Sequence, residues 1–363
     1  MSGATAEALF QSAHAHAAAG RFDAATADYR RALQARPQYF EALANLGKVY
    51  ERQERWEEAA AAYRRALAIR PGEVPVLCGL GMVLAHLGLV EASIEAWRRT
   101  VSAMPAYTQG WIALAEMLAK AGRNGEAIAA FDRALALEPG NAAATFARRA
   151  LAGEQVDHAP PEYVRDVFDG FAEEFDRKLQ GELAYRGPEA LREALAPWLA
   201  GRHALRIADL GCGTGLAAEG LRGHAVELVG VDLSAKMLEK AHARGLYDRL
   251  ERTDIAAFLS AAAPGTIDLA VALEVFIYVG ALDAVFAAAA TALAPGGALA
   301  FSVERLGAPD GFLLAPSGRY AHSRAYISQR AAAAGLRLGD VRETVLRKEH
   351  GEPVTGEIYR LDR

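Results

Sequence analysis

The sequence predicts two unlike architectures in one chain: an all-α solenoid over residues 1–152 and an α/β domain on a parallel sheet over residues 153–363. Three observations predict it. Pro37, Pro71, Pro105 and Pro139 recur every 34 residues, a spacing that marks stacked helical hairpins. From Ala204 onward, short apolar runs alternate with helical patterns, as in a sheet whose strands are joined by crossover helices. The first of those runs ends in Asp209-Leu210-Gly211-Cys212-Gly213-Thr214-Gly215, and such glycines let a backbone come close to a ligand.

Each 34-residue unit carries apolar stripes at helical spacing and reads as two helices of roughly 14 residues. Equivalent positions repeat in kind: Leu9, Leu43, Leu77, Trp111; small Ala13, Gly47, Gly81, Ala115; Ala25, Ala59, Ser93, Ala127; the rings Tyr29, Tyr63, Trp97, Phe131; and Ala32, Ala66, Thr100, Ala134. The small residues let paired helices approach, and the ring fills the gap beneath. Gly20, Gly88 and Gly122 fall at the turn between helices, where a left-handed conformation suits glycine; the second repeat has Glu54 there. Each proline ends a second helix. Residues 141–151 keep the helical period without a new proline, so four repeats plus a capping helix are expected.

This pattern resembles the tetratricopeptide repeat. The resemblance implies a groove lined by first-helix positions, here Phe10, His14, Lys48, Arg52, Met82, His86, Glu116 and Lys120. That mixed set does not match the basic carboxylate clamp of some chaperone-binding members. A peptide or protein docked on the repeats is the implied partner. A homodimer through the repeats, or simple buttressing of the other domain, is the alternative.

Composition bounds the function. Residues 1–150 hold 17 Lys+Arg against 15 Asp+Glu, and the remainder holds 23 against 30. An acidic second half argues against a nucleic-acid substrate, whose phosphates need a basic face. Cys78 and Cys212 give neither a disulfide framework nor a metal spacing. The first residues lack the basic start and apolar stretch of a signal peptide, and the longest apolar run, around residues 269–279, contains Glu274 and is too short to span a bilayer. A cytoplasmic protein with no membrane partner is expected.

Residues 153–161 are polar and end in Pro160-Pro161, a short stiff linker. Pro160-Pro161-Glu162-Tyr163 superficially looks like a motif of nucleobase amino-methyltransferases. It begins with Ala159 in place of Asp or Asn and precedes the first strand, so the likeness fails. Residues 163–179 read as one helix with Val164, Val167, Phe168, Phe171, Phe175 and Leu179 on a single face, and a second helix runs to about Leu199. Strands follow at 205–210, 228–233, 250–253 and 266–273. A Pro295-Gly296-Gly297 turn feeds a fifth at 298–303, and β-like segments at 336–346 and 356–361 suggest a closing antiparallel pair. The glycine loop is expected to open a helix at Leu216, and Ser234 to cap the next one.

The glycine loop, an acid ending the second strand, an acid after the third, and Leu-Ala-Pro-Gly-Gly before the fifth occur in this order. Together they resemble the Rossmann-like class I methyltransferases that use S-adenosylmethionine (SAM). The resemblance implies SAM as cofactor, held by Asp209, Gly211, Cys212, Gly213, Gly215, Asp232, Leu233, Met237, Asp254 and Ile255. Asp209 would face the methionyl ammonium. Asp232, 21 residues beyond Gly211, would accept both ribose hydroxyls. Asp254 would accept from the adenine amino group beside the Ile255 backbone, with Leu233 and Met237 on the ring. Tyr163, Tyr185 and Arg186 would serve the methionyl end, and Glu274 would be a further cofactor contact. The rival is a nicotinamide fold, since Gly213-Thr214-Gly215-Leu216-Ala217-Ala218 fits its glycine pattern. Asp209, Asp254 and the Pro-Gly-Gly turn are not expected there. No Lys-Ser/Thr follows the glycines, so a phosphate-binding P-loop is excluded.

The chain as a whole resembles bacterial methyltransferases fused to tetratricopeptide repeats. The runs Phe171-Ala172-Glu173-Glu174-Phe175-Asp176, Glu274-Val275-Phe276-Ile277-Tyr278-Val279-Gly280 and Gly318-Arg319-Tyr320-Ala321-His322-Ser323 carry that likeness. Transfer from an activated sulfonium needs mostly positioning, and a base only where the acceptor must lose a proton. Glu274, Tyr278, Tyr320 and His322 are the catalytic candidates, with Glu304, Arg319 and Tyr326 beside them. His322 leads because it titrates near neutral pH. It is expected on a loop facing the cofactor's methyl group. The function that follows is methylation of a peptide, protein or carrier-bound substrate docked on the repeats. The alternatives are a small-molecule methyltransferase whose repeats only assemble it, and a non-catalytic SAM-binding scaffold. No metal is expected.

Overall fold

The computed structural model describes residues 2–172, 175–177, 179, 181, 185–349 and 352–363, which form two compact units, Met1–Ala152 and Gly153–Arg363. In the first unit, helices alternate as α1 (Ser2–Ala18), α2 (Phe22–Ala35), α3 (Phe40–Arg52), α4 (Trp56–Ile69), α5 (Val74–His86), α6 (Val90–Ala103), α7 (Thr108–Lys120) and α8 (Asn124–Leu137). Every second helix stops two residues before its proline. The residue between them, Arg36, Arg70, Met104 or Glu138, has left the helical region, as the residue preceding proline must. Helix α9 (Ala142–Leu151) closes the array, with the Asn141 side chain accepting from the Ala144 amide at 2.9 Å.

The repeat packing follows from the residue pattern. Tyr29, Tyr63 and Phe131 are buried, and a Cβ added at Gly47 would overlap the Tyr63 ring. One added at Gly81 would lie 2.7 Å from Trp97 Cε2. Glycine at the small position is thus what allows the helix pair its separation. At the inter-helix turn Gly20, Gly88 and Gly122 have φ of 73°, 71° and 73°, and Glu54 adopts the same left-handed conformation at 55°.

The second unit opens with α10 (Pro161–Phe171), α11 (Phe175–Arg177) and α12 (Gly187–Leu199). The single helix expected over residues 163–179 therefore ends at Phe171. Gly170, a poor helix former, sits in its last turn; Glu173, Glu174 and Lys178 lie outside the described residues. Strands β1 (Leu205–Leu210), β2 (Ala225–Asp232), β3 (Arg249–Arg252), β4 (Ile267–Ala272) and β5 (Leu293–Arg305) pair in parallel in the order β3-β2-β1-β4-β5. They are joined by α13 (Ala218–Leu221), α14 (Ala235–Arg244), α15 (Ile255–Ala261) and α16 (Asp283–Ala292). The helix after the glycine loop is one turn, shorter than expected. The Pro-Gly-Gly turn lies within β5, where the β4 pairing is irregular and Gly296 has φ of 76°.

A short hairpin, β6 (Phe312–Leu314) and β7 (Tyr320–His322), extends the upper end of β5. Helix α17 (Arg324–Ala333) then leads to β8 (Arg337–Glu349) and β9 (Glu352–Asp362), with β9 antiparallel to both β5 and β8. The strand order reverses between β1 and β4. That switch point, outside the carboxyl ends of the strands, is where open α/β sheets bind ligands.

Candidate active site

A cavity of about 610 Å³ lies at the switch point, a size suited to a cofactor-sized ligand. One wall comes from the ends of β1, β2, β3 and β4: Asp209, the Gly211–Thr214 loop, Asp232, Leu233, Asp254, Ile255 and Glu274. The loop is built for close approach. Gly211, Gly213 and Gly215 have φ of 68°, 54° and 88°, a region costly for any other residue. The Gly213 amide donates to Asp232 Oδ2 at 2.9 Å and the Ser234 amide to Oδ1 at 2.8 Å. Both carboxylate oxygens are so fixed at the mouth of β2, and each retains a lone pair for a ligand hydroxyl.

Asp209 is buried and accepts from the Tyr247 hydroxyl at 2.6 Å. Burial pushes its carboxyl up to about 7; Tyr247 opposes this and the nearby Asp232 charge adds to it. A cationic ligand group there would restore the carboxylate. Asp254 uses Oδ1 to cap α15, accepting from the Ala256 and Ala257 amides at 2.8 and 3.1 Å. Its N-cap role lay beyond the sequence expectation.

Glu274 stands on a strained backbone, with φ of 56° two residues after β4, and its amide donates to Ser302 Oγ at 2.8 Å. Its Oε2 pairs with Arg347 of β8, and the other arm of Arg347 pairs with Glu304 of β5. Glu274 Oε1 is buried without a hydrogen-bond partner among the described residues, on a side chain that lines the cavity. Burial raises the Glu274 carboxyl despite the opposing Arg347.

The remaining wall is apolar. Val164, Val167 and Phe168 of α10 and Phe175 of α11 face Ile277, Tyr278, Val279 and Val285, with the Phe168 and Tyr278 rings edge-on at 5.6 Å. Asp176 ties α11 over the glycine loop through Thr214 Oγ1 at 2.5 Å and Arg244 at 2.6 Å. Burial raises the Tyr278 phenol, so it stays protonated at neutral pH, where it can donate a hydrogen bond but not act as a base.

Several expected site residues stand elsewhere. His322 is not a cavity residue. It is fully buried in β7, its Nε2 3.0 Å from the Gly280 carbonyl, and its Nδ1 has no partner among the described residues. It pins the back of the 278–281 wall, whose other side is held by the Asp157 carbonyl and the Ala159 amide. The expectation of a catalytic base on a loop fails because that run folds as a strand. Tyr320 is likewise buried in β7 against Phe312, outside the cavity; only Arg319 of this run reaches the wall. Met237 is a buried residue of α14, Gly215 packs on Tyr247, and neither of these two, nor Tyr163 or Arg186, is in the cavity lining. Tyr185 lines it. The sequence reading missed Arg347 and Tyr247. Neither sits in a motif, and each reaches the site from a distant segment.

Burial lowers the His322 imidazole to about 4, with hydrogen bonds to Gly280 and Val279 opposing. Its folded value lies below the unfolded 6.5, so its contribution to stability is whole above 6.5 and is lost as pH falls toward 4. Asp209, raised in the fold, has the opposite slope. The difference in urea stability between wild type and His322→Asn isolates the histidine. That difference should shrink as pH falls from 6.5 to 4.5; a constant difference contradicts the buried neutral imidazole.

The family described as "Methyltransferase domain" matches residues 208–301, spanning β1 into β5, and "Tetratricopeptide repeat" families match residues 10–74 and 108–141. The chain is 29% identical over 175 residues to "Ubiquinone biosynthesis O-methyltransferase" of Xanthomonas campestris pv. campestris (strain B100), covering 43% of this chain and 73% of that protein. It is 39% identical over 97 residues to "Methyltransferase-like protein 27" of Homo sapiens, covering 26% of this chain and only 39% of that relative's length. Among solved structures, magnesium protoporphyrin IX methyltransferase from Synechocystis PCC 6803 with bound SAM is 19% identical, with a TM-score of 0.44 over 56% of this chain and 96% of that one. No helix among the described residues is long and apolar enough to cross a membrane.

Proposed function

The chain joins tetratricopeptide repeats to a class I SAM-dependent methyltransferase domain, and from this premise we propose that it transfers the methyl group of SAM to an acceptor held against the apolar wall of the same cavity. One observation carries the reading. Asp209, Asp232 and the left-handed glycine loop converge on a single cavity at the switch point. Asp232 would take the ribose hydroxyls, Asp209 the methionyl ammonium, and Asp254, through Oδ2, the adenine edge. SAM supplies the activated methyl group. The protein's share is to orient the acceptor in line and exclude water, which the walls of α10, α11 and residues 276–279 support.

Val164, Phe168, Val279 and Val285 favour an acceptor with an apolar body. The Glu274 Oε1 atom favours one whose reacting group carries a hydroxyl or amine proton. A ubiquinone-type O-methyltransferase among the relatives agrees with such an acceptor. The repeats support docking of a protein or peptide that is methylated or carries the acceptor, as the tetratricopeptide match suggests. The test is formation of S-adenosylhomocysteine from SAM with a panel of substituted phenols and aryl amines. Turnover should require the acceptor and fall about 10²-fold or more in Glu274→Gln, with SAM affinity retained. Absence of turnover with every apolar acceptor, or full turnover in the variant, contradicts the reading.

A further inference from the structure

The repeats carry a second ordered feature, on the helices opposite those that line the expected groove. Arginine recurs at two adjacent repeat positions: Arg30, Arg64 and Arg98 at one, and Arg31, Arg65, Arg99 and Arg133 at the next. All lie on second helices, and Arg30, Arg64 and Arg65 are exposed. At the first junction the geometry is explicit. Arg30 of α2 and Arg65 of α4 line one pocket of about 380 Å³, floored by Leu33 and Leu46 and edged by Tyr50 and Glu58. The 34-residue register gives Arg64 with Arg99, and Arg98 with Arg133, the same repeat positions at the next two junctions, where Arg99 also donates to the Pro71 carbonyl at 2.8 Å and Arg133 lies 5.7 Å over the Trp111 ring.

We propose that this second-helix face binds an acidic, partly apolar segment of a protein partner, one carboxylate to each arginine pair and apolar side chains in the pockets between them. The charges favour it. Arg30, steadied by donating Nε to the Tyr50 hydroxyl at 2.9 Å, and Arg65 bring two like charges to one pocket, and a shared carboxylate relieves their repulsion while accepting hydrogen bonds from the remaining guanidinium N–H groups. The pocket's own acid, Glu58, is shared with Arg55 at 3.0 and 2.5 Å and so offsets the arginine pair only in part. Arg64 and Arg65 have no ion pair or hydrogen bond among the described residues. Arg98 is paired with Glu126 at 2.8 Å, but an exposed pair of this kind exchanges at little cost. A nucleic acid fits less well. The repeats are nearly neutral, with 17 basic against 15 acidic residues in 1–150, whereas a phosphate backbone calls for a strongly basic face. The Leu33–Leu46 floor suits a side chain and not a sugar-phosphate. This inference concerns the repeats alone and does not depend on methyl transfer.

The test is fluorescence anisotropy of the full chain with a short labelled peptide of repeating Glu-Asp-Leu. Binding should weaken with salt and fall about tenfold or more in Arg65→Glu and in Arg64→Glu, while Lys48→Glu on the first-helix face should bind as wild type. Circular dichroism melting checks that the variants fold. Should Arg65→Glu melt early, Arg65→Gln replaces it, and the same ranking is required. The proposal is overturned by a peptide that does not bind, by loss in Lys48→Glu equal to that in Arg65→Glu, or by an oligothymidylate that binds as tightly as the peptide.

Discussion

Arg347→Met is expected to destabilise the catalytic unit by about 3–5 kcal/mol, because it removes a buried cation and strands two half-buried carboxylates. Arg347 is 2% exposed and is shared between Glu274 and Glu304. Removing the cation leaves Glu274, whose carboxyl burial already raises, with only Arg319 to oppose its charge, and takes from Glu304 its ion-pair partner. Glu274 must then protonate or draw in water, and either costs several kcal/mol. The effect reaches the site, since Glu274 already holds a left-handed backbone that costs of order 1–2 kcal/mol. Without its partner that conformation loses a restraint. Thermal melting should show the loss as a fall of roughly 10 °C. The combination with Glu274→Gln and Glu304→Gln should recover much of it. A single variant melting within a degree of wild type contradicts the buried ion triad.

Gly211→Ala should be the most damaging single-atom addition to the site. At φ of 68° an alanine costs about 1–2 kcal/mol, and its Cβ would overlap Val275 Cγ2, adding about 1–3 kcal/mol of overpacking. Relief requires the loop or Val275 to move, and both line the cavity. SAM affinity should drop about tenfold or more, together with the melting temperature. Gly125→Ala is the control. It lies in the first turn of α8 at ordinary φ with open space around it, and it should be neutral or mildly stabilising.

What the sequence revealed divides along physical lines. Local chemistry was legible. Proline spacing placed the helix ends, left-handed glycines placed the turns, and apolar runs placed all five parallel strands. The acids at strand ends fell on the cavity because strand termini define it. What stayed hidden depends on distant partners. Arg347 and Tyr247 reach Glu274 and Asp209 across 73 and 38 residues, and no local pattern marks them. His322 misled because a histidine in a polar run reads the same on a loop and in a buried strand. The hairpin of β6 and β7 has three residues in each strand, too short for alternation to show. Tyr163 and Tyr185 sit on similar polar segments, and only the second faces the cavity.

The central claim is that the switch-point cavity is a SAM site read by Asp232. The direct measurement is a calorimetric titration of SAM into the full chain and into Asp232→Ala. The account predicts one site per chain, no comparable binding of NAD, and a loss of about 1–3 kcal/mol in the variant, where buried ribose hydroxyls lose a charged acceptor. NAD binding in place of SAM, or equal SAM affinity in the two proteins, would contradict it.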